Sequence, residues 1–138
     1  MNPSYHKICN ADQARFLYRI SHLSLLSAAY ALYRGHIDLA CIPATVFITS
    51  INYWRNPEYG WRRNLDIAAV HASVLYQARA AYGKPYSEWY YGSLFLCAVS
   101  YALGIDFQRR RKPWASIYAH GLLHIVANVG NFILYSIF

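Results

Sequence analysis

Apolar stretches of similar length alternate along the chain with short polar breaks. Five stand out, at about residues 16–33, 37–54, 65–82, 88–107 and 115–138. Each runs roughly 18 to 24 residues, near the ~20 that carry a helix across a bilayer core. Two breaks, "YRGH" and "YGKPYS", are turns marked by Gly or Pro; the others, "RNPEYGWRRN" and "FQRRRKPW", are longer, basic and aromatic. The pattern predicts an all-α fold: a compact transmembrane bundle of about five helices, forming a single membrane domain over residues 1–138.

The polar residues inside these stretches are ordered too. In the last one, His120, His124, Asn128, Asn131 and Tyr135 follow at steps of 4, 4, 3 and 4, which puts them on one helical face. The second stretch places Asp38, Thr45, Thr49 and Asn52 on one face, and the third places Asp66, Ser73 and Gln77. The fourth carries a stripe of small residues, Ser93, Cys97, Ser100 and Gly104. Polar groups avoid lipid tails, so these faces are expected to point inward, with Asn52, Ser73, Asn128 and Asn131 as a polar seam that bonds across helices.

Composition and charge support this reading. Charged residues are 14 % of the chain, against about 25 % in soluble domains. With alternating helices, Lys7, Arg15, Arg19, Arg55, Arg62, Arg63, Arg109, Arg110, Arg111 and Lys112 fall on one side; Arg34, Arg79 and Lys84 fall on the other. That asymmetry fits the positive-inside rule, with the N-terminus on the basic side. Tyr53, Trp54, Tyr59, Trp61 and Trp114 flank the basic side, and Tyr33, Tyr82, Tyr86, Trp89, Tyr90 and Tyr91 the other, as interfacial aromatics do. The first stretch carries Arg19 and His22, so a helix lying along the interface is an alternative to a span. A soluble helical protein with a very apolar surface is the alternative for the whole chain.

The titratable residues raise the question of chemistry. Asp66 opens the third stretch from the basic side, where Thr49 and Asn52 close the second and His120 and His124 lie just inside the fifth. A carboxylate within a membrane helix is a functional-site candidate, and two His four residues apart can hold one metal. Ser50 or Thr49, then Asp66, then "HGLLHIVANVGNFILY" resembles the pattern of the CREST superfamily, the membrane hydrolases that include alkaline ceramidases. The resemblance implies a zinc held by His120 and His124, with Asp66 and Ser50 as catalytic residues cleaving a lipid amide or ester. The sequence departs from that pattern where Tyr53 or Trp54 stands in place of a third His; His22, His71 and Asp66 are the candidates for the vacant role. The segment "NYWRNPEYGWRRNLD" is also similar to small multi-pass proteins of algae and large DNA viruses.

Three functions are therefore expected in turn. The first is an integral membrane protein acting as a structural subunit, with no cofactor, and with protein partners or copies of itself. Its basic loops, Arg62 and Arg63 together with Arg109, Arg110, Arg111 and Lys112, would meet anionic lipid headgroups or an acidic protein. The second is a reduced zinc-dependent hydrolase, and the third a proton path along the fifth stretch. Nucleic acid is excluded as a partner, because the basic residues are divided among loops and no binding motif is present.

Overall fold

The computed structural model describes residues 7–138. Its helices are α1 (Ala11–Ile20), α2 (Leu23–Tyr33), α3 (Ile37–Trp54), α4 (Trp61–Ala81), α5 (Ser87–Arg109) and α6 (Pro113–Ser136). No strand is present among the described residues; one isolated bridge pairs Lys7 with Glu58. The five expected helices are all present, but the first begins earlier and is broken in two.

The early start has a local cause. Asn10 accepts from the Gln13 amide at 2.9 Å, and the Gln13 side chain accepts from the Asn10 amide at 3.0 Å, a reciprocal cap that starts α1. The break falls at Ser21 and His22, where the hydroxyl of Ser21 bonds back to the Leu17 carbonyl at 2.8 Å. Such back-bonding competes with the helix ladder. Beyond it, α2 buries Ser24, Ser27, Ala28 and Ala31, a small-residue stripe along one face.

The chain's turns and the ends of its described segment gather at two ends of the bundle. At one, the Ile8 amide bonds to the Pro57 carbonyl at 3.1 Å, so the segment before α1 lies on the α3–α4 connection. Nearby, the ring of Trp54, which ends α3, stands against His120 in the second turn of α6. At the other end, Arg34 reaches the Ser136 carbonyl at 3.4 Å and Lys84 lies 4.2 Å over the Phe138 ring. The α2–α3 turn, the α4–α5 turn and the C-terminus therefore share that end.

The α5–α6 hairpin is the closest pairing, and the small stripe expected on α5 explains it. The hydroxyl of Ser116 donates to the Gly104 carbonyl at 2.8 Å, and Ser93 packs against Gly130. A Cβ at Gly130 would meet the Ser93 hydroxyl and stand 3.0 Å from its Cβ, so only glycine lets the two backbones approach this far.

Pro43 lies inside α3 and is buried. It has no N–H, so the Leu39 carbonyl four residues earlier loses its helical partner. The structure replaces that partner from another helix: the hydroxyl of Tyr135 lies 3.4 Å from the Leu39 oxygen. Gln77 Nε2 donates to the Tyr135 hydroxyl at 2.8 Å, and the Tyr90 hydroxyl donates to Gln77 Oε1 at 3.2 Å. One polar chain thus ties α3, α4, α5 and α6 together. Tyr90 is 1 % exposed, and Tyr53 and Trp54 are also buried, so these three are core residues rather than interfacial ones. The α3 seam also departs from expectation. Thr49 is buried, but Asp38 and Thr45 are exposed; Thr45 satisfies its hydroxyl on the Cys41 carbonyl of its own helix at 2.8 Å, and Asp38 accepts from Tyr76.

Three helices are long and apolar enough to cross a membrane: Ile37–Trp54, Ser87–Arg109 and Pro113–Ser136. α4 is long enough but is not among them, and α1 and α2 are short.

The proline substitution logic is testable as a cycle. Tyr135→Phe is expected to lower stability by about 1–2 kcal/mol, the cost of leaving buried polar groups unmet. Pro43→Ala restores an N–H to the Leu39 carbonyl, so Tyr135→Phe should cost less in that background. Thermal unfolding of the four proteins in detergent measures the coupling; equal losses in both backgrounds would show that Tyr135 does not serve the proline's vacancy.

Candidate functional site

The candidate residues come from the last turns of α3, the first turns of α4 and the first half of α6. Ser50 and Thr49 both donate to one oxygen of Asp66, Oδ1, at 2.7 and 2.8 Å. All three are buried, with Ser50 1 % and Asp66 8 % exposed. Two hydroxyls on one carboxylate oxygen give the acid a fixed position, and they fasten α3 to α4 beneath their connection.

His120 and His124 lie one turn apart on α6, with ring centroids 5.2 Å from each other. His124 is buried and His120 half-buried. The Trp54 indole and the His120 imidazole meet edge to face, with centroids 5.2 Å apart and planes at 70°. Trp54 therefore stands beside the imidazole pair, on the helix and near the position where the sequence lacks a third His. One turn deeper, Asn128 donates to the His124 carbonyl at 2.8 Å and accepts from the hydroxyl of Ser27 on α2.

These groups divide into two clusters. Asp66 joins Ser50 and Thr49; His120 and His124 join Trp54. Among the described residues, no three His, Cys, Asp or Glu side chains gather to hold a metal ion. His22 bonds to the Tyr18 carbonyl at 2.9 Å, and His71 is exposed and bonds to the Ile67 carbonyl at 2.7 Å, so neither serves as a third imidazole here. Within the described residues, His120 and His124 are thus two imidazoles side by side with no third ligand of that group gathered to them.

The remaining expected residues are more peripheral. Asn52 and Asn131 are half-buried, as is Ser73; Asn52 accepts from Arg55 at 3.4 Å. Arg62 and Arg63 lie in the first turn of α4, where Arg63 covers the Tyr59 ring with its guanidinium 5.5 Å from the centroid. Arg109, Arg110, Arg111 and Lys112 are exposed at the α5–α6 turn, and Arg110 pairs with Asp106 at 2.7 Å. Ser27 and Trp54 stand beside these clusters, although sequence reading did not assign them to the interior layer. Ser27 was legible as part of the repeat Ser24, Ser27, Ala28, Ala31; Trp54 carried only the signal of an interfacial aromatic. In comparison with known proteins, the chain matches no family model, no curated protein and no solved structure.

The Asp66 cluster predicts a contrast between substitutions. Asp66→Asn keeps an oxygen for both hydroxyls and should retain most stability. Asp66→Leu leaves Ser50 without its acceptor, while Thr49 keeps the Val46 carbonyl at 3.1 Å, and should lose about 1–3 kcal/mol, the cost of one unmet buried donor. Unfolding midpoints in detergent test this; a smaller loss for Leu than for Asn would remove the carboxylate from its role as acceptor.

Proposed function

We propose that this chain is a small multi-pass integral membrane protein that serves as a structural subunit of a membrane-associated assembly. One observation carries the reading: the distribution of polarity is reversed from that of a soluble domain. Leu26, Leu75, Phe95 and Leu96 are among many large apolar side chains more than half exposed, while Ser27, Ser50, Asp66, Gln77 and Asn128 are buried. In water this surface would be an aggregation liability. In a bilayer it is the lipid-facing surface, and the buried polar groups satisfy one another away from the tails.

The charge pattern supports an orientation. Ten of the thirteen Lys and Arg residues belong to the end that holds the N-terminal segment and the α3–α4 and α5–α6 connections. That end is the positive-inside one. Its loop residues Arg62, Arg63 and Arg109 to Lys112 face anionic headgroups or an acidic partner. The structural role is favoured because helices and tight turns make up nearly all of the described chain, and because α5 keeps Phe95, Leu96, Val99 and Leu103 exposed along its length. Lipid or a neighbouring subunit, including a second copy, covers such a face.

A second reading, a reduced CREST-like hydrolase, is favoured by the Ser50–Asp66 bond, since it joins the two residues that the resemblance pairs. Its weak point is the His120–His124 pair, which has Trp54 beside His120 and no third metal-ligating side chain gathered to it among the described residues.

Two measurements test these readings. The protein should stay in the membrane pellet after carbonate extraction, and single cysteines at 60 and 110 should label from one side while one at 83 labels from the other. Release without detergent, or labelling of 60 and 110 from opposite sides, would overturn the membrane reading. Protein purified without chelators should hold well under one zinc per chain. A full equivalent that disappears in His120→Ala would replace the structural role with the hydrolase.

A further inference from the structure

A groove of about 590 Å³ opens at the end of the bundle opposite the basic loops. Its wall is formed by Tyr30 of α2, by Tyr86 and Trp89 at the start of α5, and by Phe132 and Ile133 near the end of α6. That volume is within the roughly 300–1,000 Å³ of small-molecule sites. No charged residue lines the groove, so the body of a ligand there is apolar.

A chain of hydrogen bonds fixes one cation to this wall. Ser136, which also lines the groove, donates its hydroxyl to the Phe132 carbonyl at 2.7 Å. The Ser136 oxygen therefore accepts from the Tyr30 hydroxyl at 2.8 Å, and the Tyr30 oxygen accepts from Arg34 at 3.4 Å. A second guanidinium nitrogen of Arg34 reaches the Ser136 carbonyl, also at 3.4 Å. Both contacts of the guanidinium are thus with residues of the groove, and Arg34 is half-buried. They are long, and they occupy two of its five N–H donors.

That cation has no carboxylate of its own among the described residues. At the same end Asp38 accepts from Tyr76 instead, and Glu88 joins no ion pair. Tyr86 adds a separate sign. Its φ of 59° and ψ of 17° are left-handed, a conformation that aromatic residues seldom adopt. Residues held this way concentrate at ligand clamps, and this one sets a ring that is 67 % exposed at the groove.

We propose that the groove binds a single-chain carboxylate amphiphile, a long-chain fatty acid, with its tail along the aromatic wall and its carboxylate on Arg34. A planar guanidinium matches a carboxylate through two parallel hydrogen bonds. Charge complementarity favours this occupant over a second copy. A two-fold neighbour would bring its own Arg34, Arg79 and Lys84 against the same three cations, and like charges repel. A structural subunit needs no such ligand, so the site stands or falls apart from that role.

The test uses the full chain in a neutral detergent at alkaline pH, where the fatty acid is ionised, and follows indole fluorescence. The probes are dibromostearate, whose bromines quench nearby indoles, and its methyl ester, which keeps the tail and lacks the charge. Dibromostearate should quench saturably, and the ester only in proportion to its share of the micelle. Trp89→Phe should abolish the saturable part, because Trp89 lines the groove while Trp54, Trp61 and Trp114 lie at the other end of the bundle. Arg34→Gln should weaken binding about tenfold, and Arg34→Lys less, since it keeps the charge and loses the fork. Arg79→Gln removes the same charge at the same end without touching the groove and should leave binding unchanged. The proposal is overturned if the acid gives no saturable quenching, if the ester matches it, if Trp89→Phe leaves it intact, or if Arg79→Gln costs as much as Arg34→Gln. A dimer in these micelles that excludes the acid would assign the groove to a second copy, and overturns it as well.

Discussion

A hydrogen-bonding group removed from water must find its partner within the chain, and the interior of this bundle is built around that requirement. The clearest case starts from an absence. Pro43 takes an N–H away from α3, and the Leu39 carbonyl it leaves is met by Tyr135 from α6. Tyr135 in turn binds Gln77, and Gln77 binds Tyr90. A defect in one helix has thereby become the fastening between four. At the opposite end Asp66 has the same function in reverse: it is an acceptor with excess capacity, and Thr49 and Ser50 fill it from the neighbouring helix. Interhelical hydrogen bonds in membranes are worth only about 0.6 kcal/mol each. Their importance here is geometric, because each selects one rotation of a helix that packing alone would leave free.

Close approach of backbones is the complementary device. α5 and α6 meet through Ser93, Ser100, Gly104 and Gly130, and α2 enters through Ser24, Ser27, Ala28 and Ala31. Small residues bring carbonyls within reach of hydroxyls from the next helix, as at Ser116 and Gly104. Large apolar side chains are pushed outward by the same choice. The apolar exterior and the polar interior are therefore one design, and α3, α5 and α6, which share it, are long and apolar enough to cross a membrane.

The basic end gathers most of what is chemically distinctive. Trp54 stands among its parts: the indole meets His120 of α6 and lies against Tyr53 of its own helix. In the CREST-like pattern a third imidazole belongs near this point. The indole supplies bulk and a hydrogen-bond donor there, but no lone pair for a metal. The Ser50–Asp66 bond remains, with the imidazoles in a separate cluster.

Sequence alone determined the helical class and the number of major apolar segments, because run length and turn residues are local signals; it missed the earlier start of the first segment and its break at Ser21 and His22. It also identified the small stripe on α5 and the polar face of α6, since helical periodicity is readable from spacing. Which groups on those faces meet was decided only by the tertiary structure. Spacing placed Asp38 and Thr45 with Thr49, but Thr45 could satisfy itself on its own helix and Asp38 found Tyr76, so neither needed the interior. Tyr90 and Trp54 read as interfacial aromatics, and only the packing of α5 and α6 against their neighbours buried them. The Asp66 and His clusters share a level along the helices, yet they separate because the rotation of each helix, fixed by contacts distant in sequence, points their side chains to different neighbours.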